Sequence, residues 1–77
     1  MRQLAGLAPA TKPRLTPRER EVLLWVAQGK SSWEIGEILA IGRRTVEEHA
    51  ATAVRKLGAV NRSHAIAIAL RNKLIEL

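Results

Sequence analysis

The sequence predicts an all-α fold of four helices, and three observations carry that expectation. Helix-start signals at Thr16-Pro17-Arg18-Glu19, at Ser31-Ser32-Trp33-Glu34 and at Asn61 each precede a segment whose apolar residues recur every three to four positions. Gly29 and Gly58 stand where two of the segments end, the place for a left-handed stop. The 47% hydrophobic content is almost wholly aliphatic, with Trp25 and Trp33 as the only aromatics in 77 residues, which suits a small helical core.

Residues 1–14 carry Pro9 and Pro13 among small and basic residues with no helical period, and read as a flexible arm or interdomain linker. The folded domain is expected over 15–77. Its first helix starts with Thr16 as N-cap, Pro17 at the first helical position and Glu19 closing a capping box, and runs to about Gln28 with Val22, Leu23, Val26 and Ala27 on one face. The second is short, about Ser32 to Leu39, with Ser31 and Glu34 as its capping box and Ile35, Ile38 and Leu39 facing inward. Gly36 costs this helix about 1 kcal/mol relative to Ala. It is either tolerated or needed so that another helix can approach its backbone closely.

Ala40-Ile41-Gly42 forms a three-residue turn, and a longer helix runs from Arg43 to about Leu57 with Val46, Ala50, Ala53, Val54 and Leu57 as one apolar stripe. Its other face holds Arg44, Glu47, Glu48, Ala51 and Arg55. Asn61 caps a fourth helix of about Arg62 to Arg71, whose middle, Ala65 to Leu70, is apolar nearly all round. The expected division puts Ala65, Ile66, Ala69 and Leu70 inward. Ala67 and Ile68 then point outward and, with Arg71, are the candidate dimer interface.

Charge and chemistry narrow the function. Thirteen Lys and Arg against seven Glu and no Asp give a net charge of +6, a bias toward polyanions. The absence of cysteine excludes disulfides, thiolate zinc sites and thiol nucleophiles. Scattered Glu residues with no Gly-rich phosphate loop and no nucleophile–base pair argue against catalysis, and His49 and His64 without Cys or Asp make no metal site. No cofactor is expected. No run approaches the roughly 18 apolar residues of a membrane span and no signal-peptide core is present, so a soluble, cytoplasmic protein without membrane contact is expected.

A short helix with a small residue early, joined by three residues to a helix polar on its outer face, describes a helix-turn-helix. At this level the sequence resembles the DNA-binding domain of the LuxR family of bacterial transcription regulators. The resemblance runs through Leu15-Thr16-Pro17-Arg18-Glu19-Arg20-Glu21-Val22-Leu23, Gly29-Lys30-Ser31, Glu34-Ile35, Thr45-Val46, His49, Arg55-Lys56-Leu57-Gly58 and Asn61-Arg62, without a gap over residues 15–75. The run Gly29 to Glu34 and the ending Leu74-Ile75 are most similar to the branch that senses acyl-homoserine-lactone-type quorum signals through a separate N-terminal domain. Three positions depart from the family pattern: Gly42 where Ser is usual, Ala53 where a larger aliphatic is usual, and Lys73 where many members have Gly. Asn72 is then the candidate for the left-handed residue that ends the fourth helix.

The resemblance implies double-stranded DNA as partner, with the helix from Arg43 in the major groove of an inverted repeat and a homodimer forming through the fourth helix on DNA. Any signal ligand would bind a separate domain absent from this sequence, which is either an excised domain or a stand-alone regulator. Position and resemblance together make Glu47, Glu48 and Ala51 base readers, with Arg44 able to fork onto guanine. For the two Glu residues the alternative is orienting Arg43, Arg44 or Arg55 by helical ion pairs. Phosphate contacts fall to Lys30, Ser31 and Ser32 at the second helix's start and to Arg43, Thr45, Arg55 and Lys56. Arg55 and Lys56 have simple solubility as their alternative. His49 suits core packing, with a phosphate contact as the other option, and Trp33 is expected to cover the helix junction unless it touches the DNA rim. Competing functions are a sigma-region-4-like module whose main contact is RNA polymerase, also a candidate partner of the leading reading, and the output domain of a two-component response regulator.

Overall fold

The computed structural model describes residues 14–77 and contains four helices: α1 Pro17–Ala27, α2 Ser32–Leu39, α3 Arg43–Lys56 and α4 Arg62–Arg71. Of the expected arm, only Arg14 falls among the described residues, and it is exposed. Both capping boxes form. The Glu19 amide donates to Thr16 Oγ1 at 3.1 Å while the Thr16 amide donates to Glu19 Oε1 at 2.9 Å. Ser31 and Glu34 reciprocate at 3.1 and 2.8 Å. At α4 the His64 amide donates to Asn61 Oδ1 at 2.8 Å. Each of these bonds satisfies a helix-start amide that would otherwise lack a partner. Gly29 and Gly58 adopt the left-handed conformation past α1 and α3, with φ of +89° and +65°.

Helix α3 is the spine of the domain. Its N-terminal half contributes Val46 and Ala50 to a cluster with Val22 of α1 and Ile35 of α2, covered by the half-buried Trp25, Val26, Leu39 and Ile41. Its C-terminal half contributes Ala53, with Leu57 just beyond, to a second cluster with Leu15, Leu23, Ala65, Ala69 and Ile75. Half-buried Val54 packs on that second cluster, which supplies bulk beside the small Ala53. A polar tie closes this end. Glu19 is buried, 5% exposed, and Lys56 Nζ reaches its Oε1 at 2.8 Å. Burial acts to raise the Glu19 carboxyl, but the bonds from Lys56 and Thr16 outweigh it and hold the group below its ordinary value.

Two expectations about the C-terminal region are corrected. Leu70 is exposed, whereas Ile68 is half-buried and packs with Ile66 against the second cluster. The outward face of α4 is therefore Ala67, Leu70 and Arg71, with Ile68 turned toward the core. Nor does Asn72 take the left-handed position. Lys73 does, at φ 59°, while Asn72 Nδ2 donates to the Ile68 carbonyl at 2.9 Å. The Asn72 side chain is thus already used at the end of α4, and the strained backbone falls one residue later.

Gly36 is required by a close approach. It is buried, and a Cβ built there would lie 2.8 Å from the Ile41 carbonyl oxygen and 3.5 Å from the Arg43 nitrogen. Both are backbone atoms of the α2–α3 turn, and the Ile41 amide returns a 3.0 Å bond to the Gly36 carbonyl. In Gly36→Ala the helical gain of about 1 kcal/mol is set against overpacking of about 1–3 kcal/mol. The expected result is a lowered urea midpoint with an unchanged m-value. A raised midpoint would show that the turn yields to a methyl group.

Lys56→Met keeps the apolar stem and leaves the Glu19 carboxylate short of its charged partner, at a cost of about 2 kcal/mol, or roughly 10 °C in Tm for a domain of this size. Because the folded Glu19 carboxyl titrates below its unfolded value, the stabilisation it contributes is present above the unfolded pKa and lost as pH falls through the lowered folded one. Thermal melts at pH 7 and at about pH 3 should therefore separate variant from wild type strongly at the first and weakly at the second.

Candidate nucleic-acid interface

With Val46, Ala50 and Ala53 fully buried, the opposite face of α3 is what the domain presents. Arg43, Arg44, Glu48 and Ala51 are exposed there, in the first two and a half turns. The Arg44 side chain is 93% exposed, with its Nε 3.7 Å from Glu48 Oε2. At that exposure the pair is worth little and leaves both groups free for an external partner. Glu48 thus takes the ion-pair arrangement with Arg44 that the sequence offered as one alternative.

Glu47 is placed differently. Its Oε2 accepts from the Ser32 hydroxyl and its Oε1 pairs with the Arg62 guanidinium, so one carboxylate bridges the start of α2 and the start of α4. The partners are not Arg44 or Arg55, as a local helical pair would require; Arg43 contributes only at longer range. The Ser32 hydroxyl and the Arg62 charge, with Arg43 nearby, hold the Glu47 carboxyl below its ordinary value against partial burial. Arg62 is the residue that sequence reasoning missed at this face. Its position after the Asn61 cap was legible, but nothing in the local pattern joins it to Glu47, 15 residues earlier.

The phosphate candidates divide accordingly. Lys30, Ser31, Arg43 and Arg55 are exposed and Thr45 is half-buried. Arg55 Nη2 makes a long 3.4 Å contact to Thr52 Oγ1. Ser32 has its hydroxyl engaged by Glu47. Lys56 has its ammonium held by the buried Glu19, an engagement the sequence reading did not foresee. His49 is half-buried beside the Val46–Ala50 stripe, in keeping with packing. His64 also has a use not foreseen, because its Nδ1 accepts from the Val60 amide at 3.0 Å and closes the loop between α3 and α4.

Trp33 does not cover the helix junction: it is 61% exposed. With Lys30, Glu34, Glu37 and Ile38, which is 45% exposed rather than inward as expected, it lines an open pocket of about 310 Å³ on the outer side of α2. Trp25 performs the covering role instead, over the cluster shared by α1, α2 and α3. Among the described residues no three His, Cys, Asp or Glu side chains gather as a metal site, and no helix is long and apolar enough to cross a membrane.

A short helix met by a longer one over three residues, with the second helix packed along one side and bare along the other, also recurs in known proteins. A solved structure described as transcription factor GerE superposes with a TM-score of 0.78 at 35% identity, covering 80% of this chain and 92% of that one. The transcriptional activator protein BjaR1 of Bradyrhizobium diazoefficiens is 64% identical over 75 residues, 97% of this chain. The HTH-type quorum sensing-dependent transcriptional regulator RpaR of Rhodopseudomonas palustris is 52% identical over 77 residues, the whole of this chain. The chain spans about a third of the length of these two relatives, 31% and 32% respectively. Residues 13–69 match the family described as bacterial regulatory proteins, luxR family, a family of regulators rather than enzymes. That match covers α1 to α3 and nearly all of α4, and the chain belongs to the luxR family as its helix-turn-helix DNA-binding domain.

Proposed function

We propose that the domain inserts α3 into the major groove and that two copies occupy an inverted repeat, as the output module of a quorum-sensing transcription regulator in the cytoplasm. The observation that carries this is the start of α3. Its first turn holds Arg43 and Arg44 and no acidic residue, and its N-cap Gly42 makes no side-chain bond. Two cations at the positive end of a helix with unsatisfied amides are unfavourable in isolation. The same arrangement suits a phosphate backbone, with Arg44, Glu48 and Ala51 reaching base edges as the following turns enter the groove. Glu47 joins those readers when its bonds to Ser32 and Arg62 open. Lys30, Ser31, Ser32, Thr45 and Arg55 then flank the groove as backbone contacts.

RNA polymerase as an additional partner is supported by a different feature, the exposed Trp33 and Ile38 on the outer side of α2. Binding to duplex without polymerase separates the two readings, because a module whose main contact is polymerase shows no sequence preference alone. The expected log–log slope of affinity against salt is roughly −4 for each domain, from about four or five backbone-contacting cations including Lys30, Arg43 and Arg55. Lys56→Met should leave that slope unchanged while lowering Tm. A flat salt response sinks the DNA-binding reading, and a slope reduced by about one in Lys56→Met returns Lys56 to the phosphate contacts.

Homodimerisation is proposed through Ala67, Leu70 and Arg71, with Ile68 behind them. The patch is small. At about 25 cal/mol per Å², a few hundred Å² offers a few kcal/mol, less than the association cost of about 4–15 kcal/mol. Pairing is therefore expected only on DNA, where adjacent half-sites raise the effective concentration. Leu70→Glu, at a residue only 36% exposed, should lower Tm modestly without unfolding the domain and abolish cooperative occupancy of a two-half-site operator in a footprinting titration. Cooperative binding retained by a folded Leu70→Glu protein places the contact elsewhere.

A further inference from the structure

We infer that Ser32 and Arg62 form a DNA-phosphate site which the free domain keeps occupied with its own carboxylate, that of Glu47, and that binding exchanges this carboxylate for a phosphate. The inference rests on the DNA-facing reading of α3 and deepens it. Three observations carry it. First, the two donors come from different helix starts, Ser32 opening α2 and Arg62 opening α4, yet both converge on the one carboxylate. A hydroxyl and a guanidinium meeting on two oxygens of one anion is the arrangement that also receives a phosphate. Second, the site is open, because the Glu47 and Arg62 side chains are 46% and 40% exposed. Third, Glu47 lies on α3 within the same two turns as Arg43, Arg44 and Glu48, so DNA brought to those residues arrives beside the Ser32–Arg62 pair.

The exchange has two consequences. A doubly negative surface patch of Glu47 and Glu48 would repel a phosphate backbone, and the internal pairing masks half of it until a specific groove is reached. Apparent affinity is lowered by the fraction of molecules in which Ser32 and Arg62 are free, the cost of any binding-competent minor state. On release, the Glu47 carboxylate is placed to accept from a cytosine amino group. Non-specific duplex offers phosphate without that acceptor's reward. The exchange therefore suppresses non-specific binding more than specific binding.

The test uses this 77-residue chain, a random-sequence duplex as probe, and the variants Glu47→Gln, Glu48→Gln, Arg62→Ala and Glu47→Gln/Arg62→Ala, each checked for folding by circular dichroism. Glu48→Gln removes the same charge one residue along the same helix and measures plain charge removal. Exchange predicts that Glu47→Gln binds about tenfold tighter than wild type and Glu48→Gln about threefold. It also predicts that Arg62→Ala weakens binding and that the double variant exceeds Arg62→Ala by only the roughly threefold gain of plain charge removal. Equal gains from the two Gln variants, or a Glu47→Gln gain that stays at its full size of about tenfold in the Arg62→Ala background, overturns the exchange. Absence of any duplex binding by wild type at low salt overturns the DNA-facing reading beneath it. Should Glu47→Gln fail to fold, carbon NMR of the wild-type Glu47 carboxyl decides the matter. A shift on saturation with duplex, toward the position it takes in Arg62→Ala, supports exchange, and an unmoved resonance refutes it.

Discussion

The domain depends on how closely three helices can approach α3, and that closeness is set by small residues. Ala50 and Ala53 on α3 and Ala65 and Ala69 on α4 are fully buried, and Gly36 on α2 is buried. The largest fully buried side chains are only Leu23, Ile35, Val22 and Val46. Each of these contributes about 1.5–3 kcal/mol, so a core with so few large residues gains its stability from short interhelical distance as much as from buried area. The dispersion contacts that close packing adds are individually small and fall away with a gap of less than an ångström. An added methyl at Gly36, or a lost one at Ala53, acts on the position of α3 before it acts on anything else. Since α3 also carries the exposed residues proposed to read DNA, packing and the proposed recognition are one geometric problem seen from two sides.

Polar ties fix what packing leaves loose. The apolar clusters grip α3 along one side, but neither stops its two ends from rotating about that stripe. Glu19 and Lys56 hold the C-terminal end to the start of α1. Ser32, Glu47 and Arg62 hold the N-terminal half to the starts of α2 and α4. The two ties differ in burial and hence in role. Glu19 is nearly inaccessible, so Lys56 is committed to it and breaking the pair strands a charge. The Glu47 group is about half-exposed, so its bonds can be exchanged with an incoming anion at modest cost. A buried tie suits permanence, and a surface tie suits exchange.

What was legible in the sequence follows the same division. Both capping boxes, the Asn61 cap, the stops at Gly29 and Gly58 and the three-residue turn were readable because each is written within three or four residues. The buried stripe of α3 was readable because its periodicity is unambiguous. Helix α4 was not, since Ala65 to Leu70 offers an apolar residue in every direction and periodicity alone cannot choose between Ile68 and Leu70. Ile68 packs against the same cluster as Leu74 and Ile75, contacts that lie outside the local pattern of α4. Lys56 to Glu19 and Arg62 to Glu47 span 37 and 15 residues, and no local rule announces a pair of that separation. Trp33 was misplaced for a related reason: a large aromatic is expected inside, yet it is Trp25 that packs against the cluster shared by α1, α2 and α3.

The start of α3 shows what the domain gives up for recognition. Gly42 provides no side-chain acceptor, and Arg43 and Arg44 place positive charge where the helix dipole is already positive. A Ser at the cap and a Glu in the first turn would stabilise the helix by roughly 0.5–1.5 kcal/mol together. The same α3 amides would then be answered internally and the positive field cancelled, as Ser31 and Glu34 do at α2. Two helix starts thus sit side by side with opposite solutions. Helix α2 closes its amides with its own side chains and supports the fold, whereas α3 leaves its amides open and relies on close packing along Val46, Ala50 and Ala53 to stay helical. An unfavourable helix start can persist only on a helix held this firmly from behind. The small-residue core is therefore what permits α3 to keep its positive end unsatisfied, in the proposed reading until DNA supplies the anion.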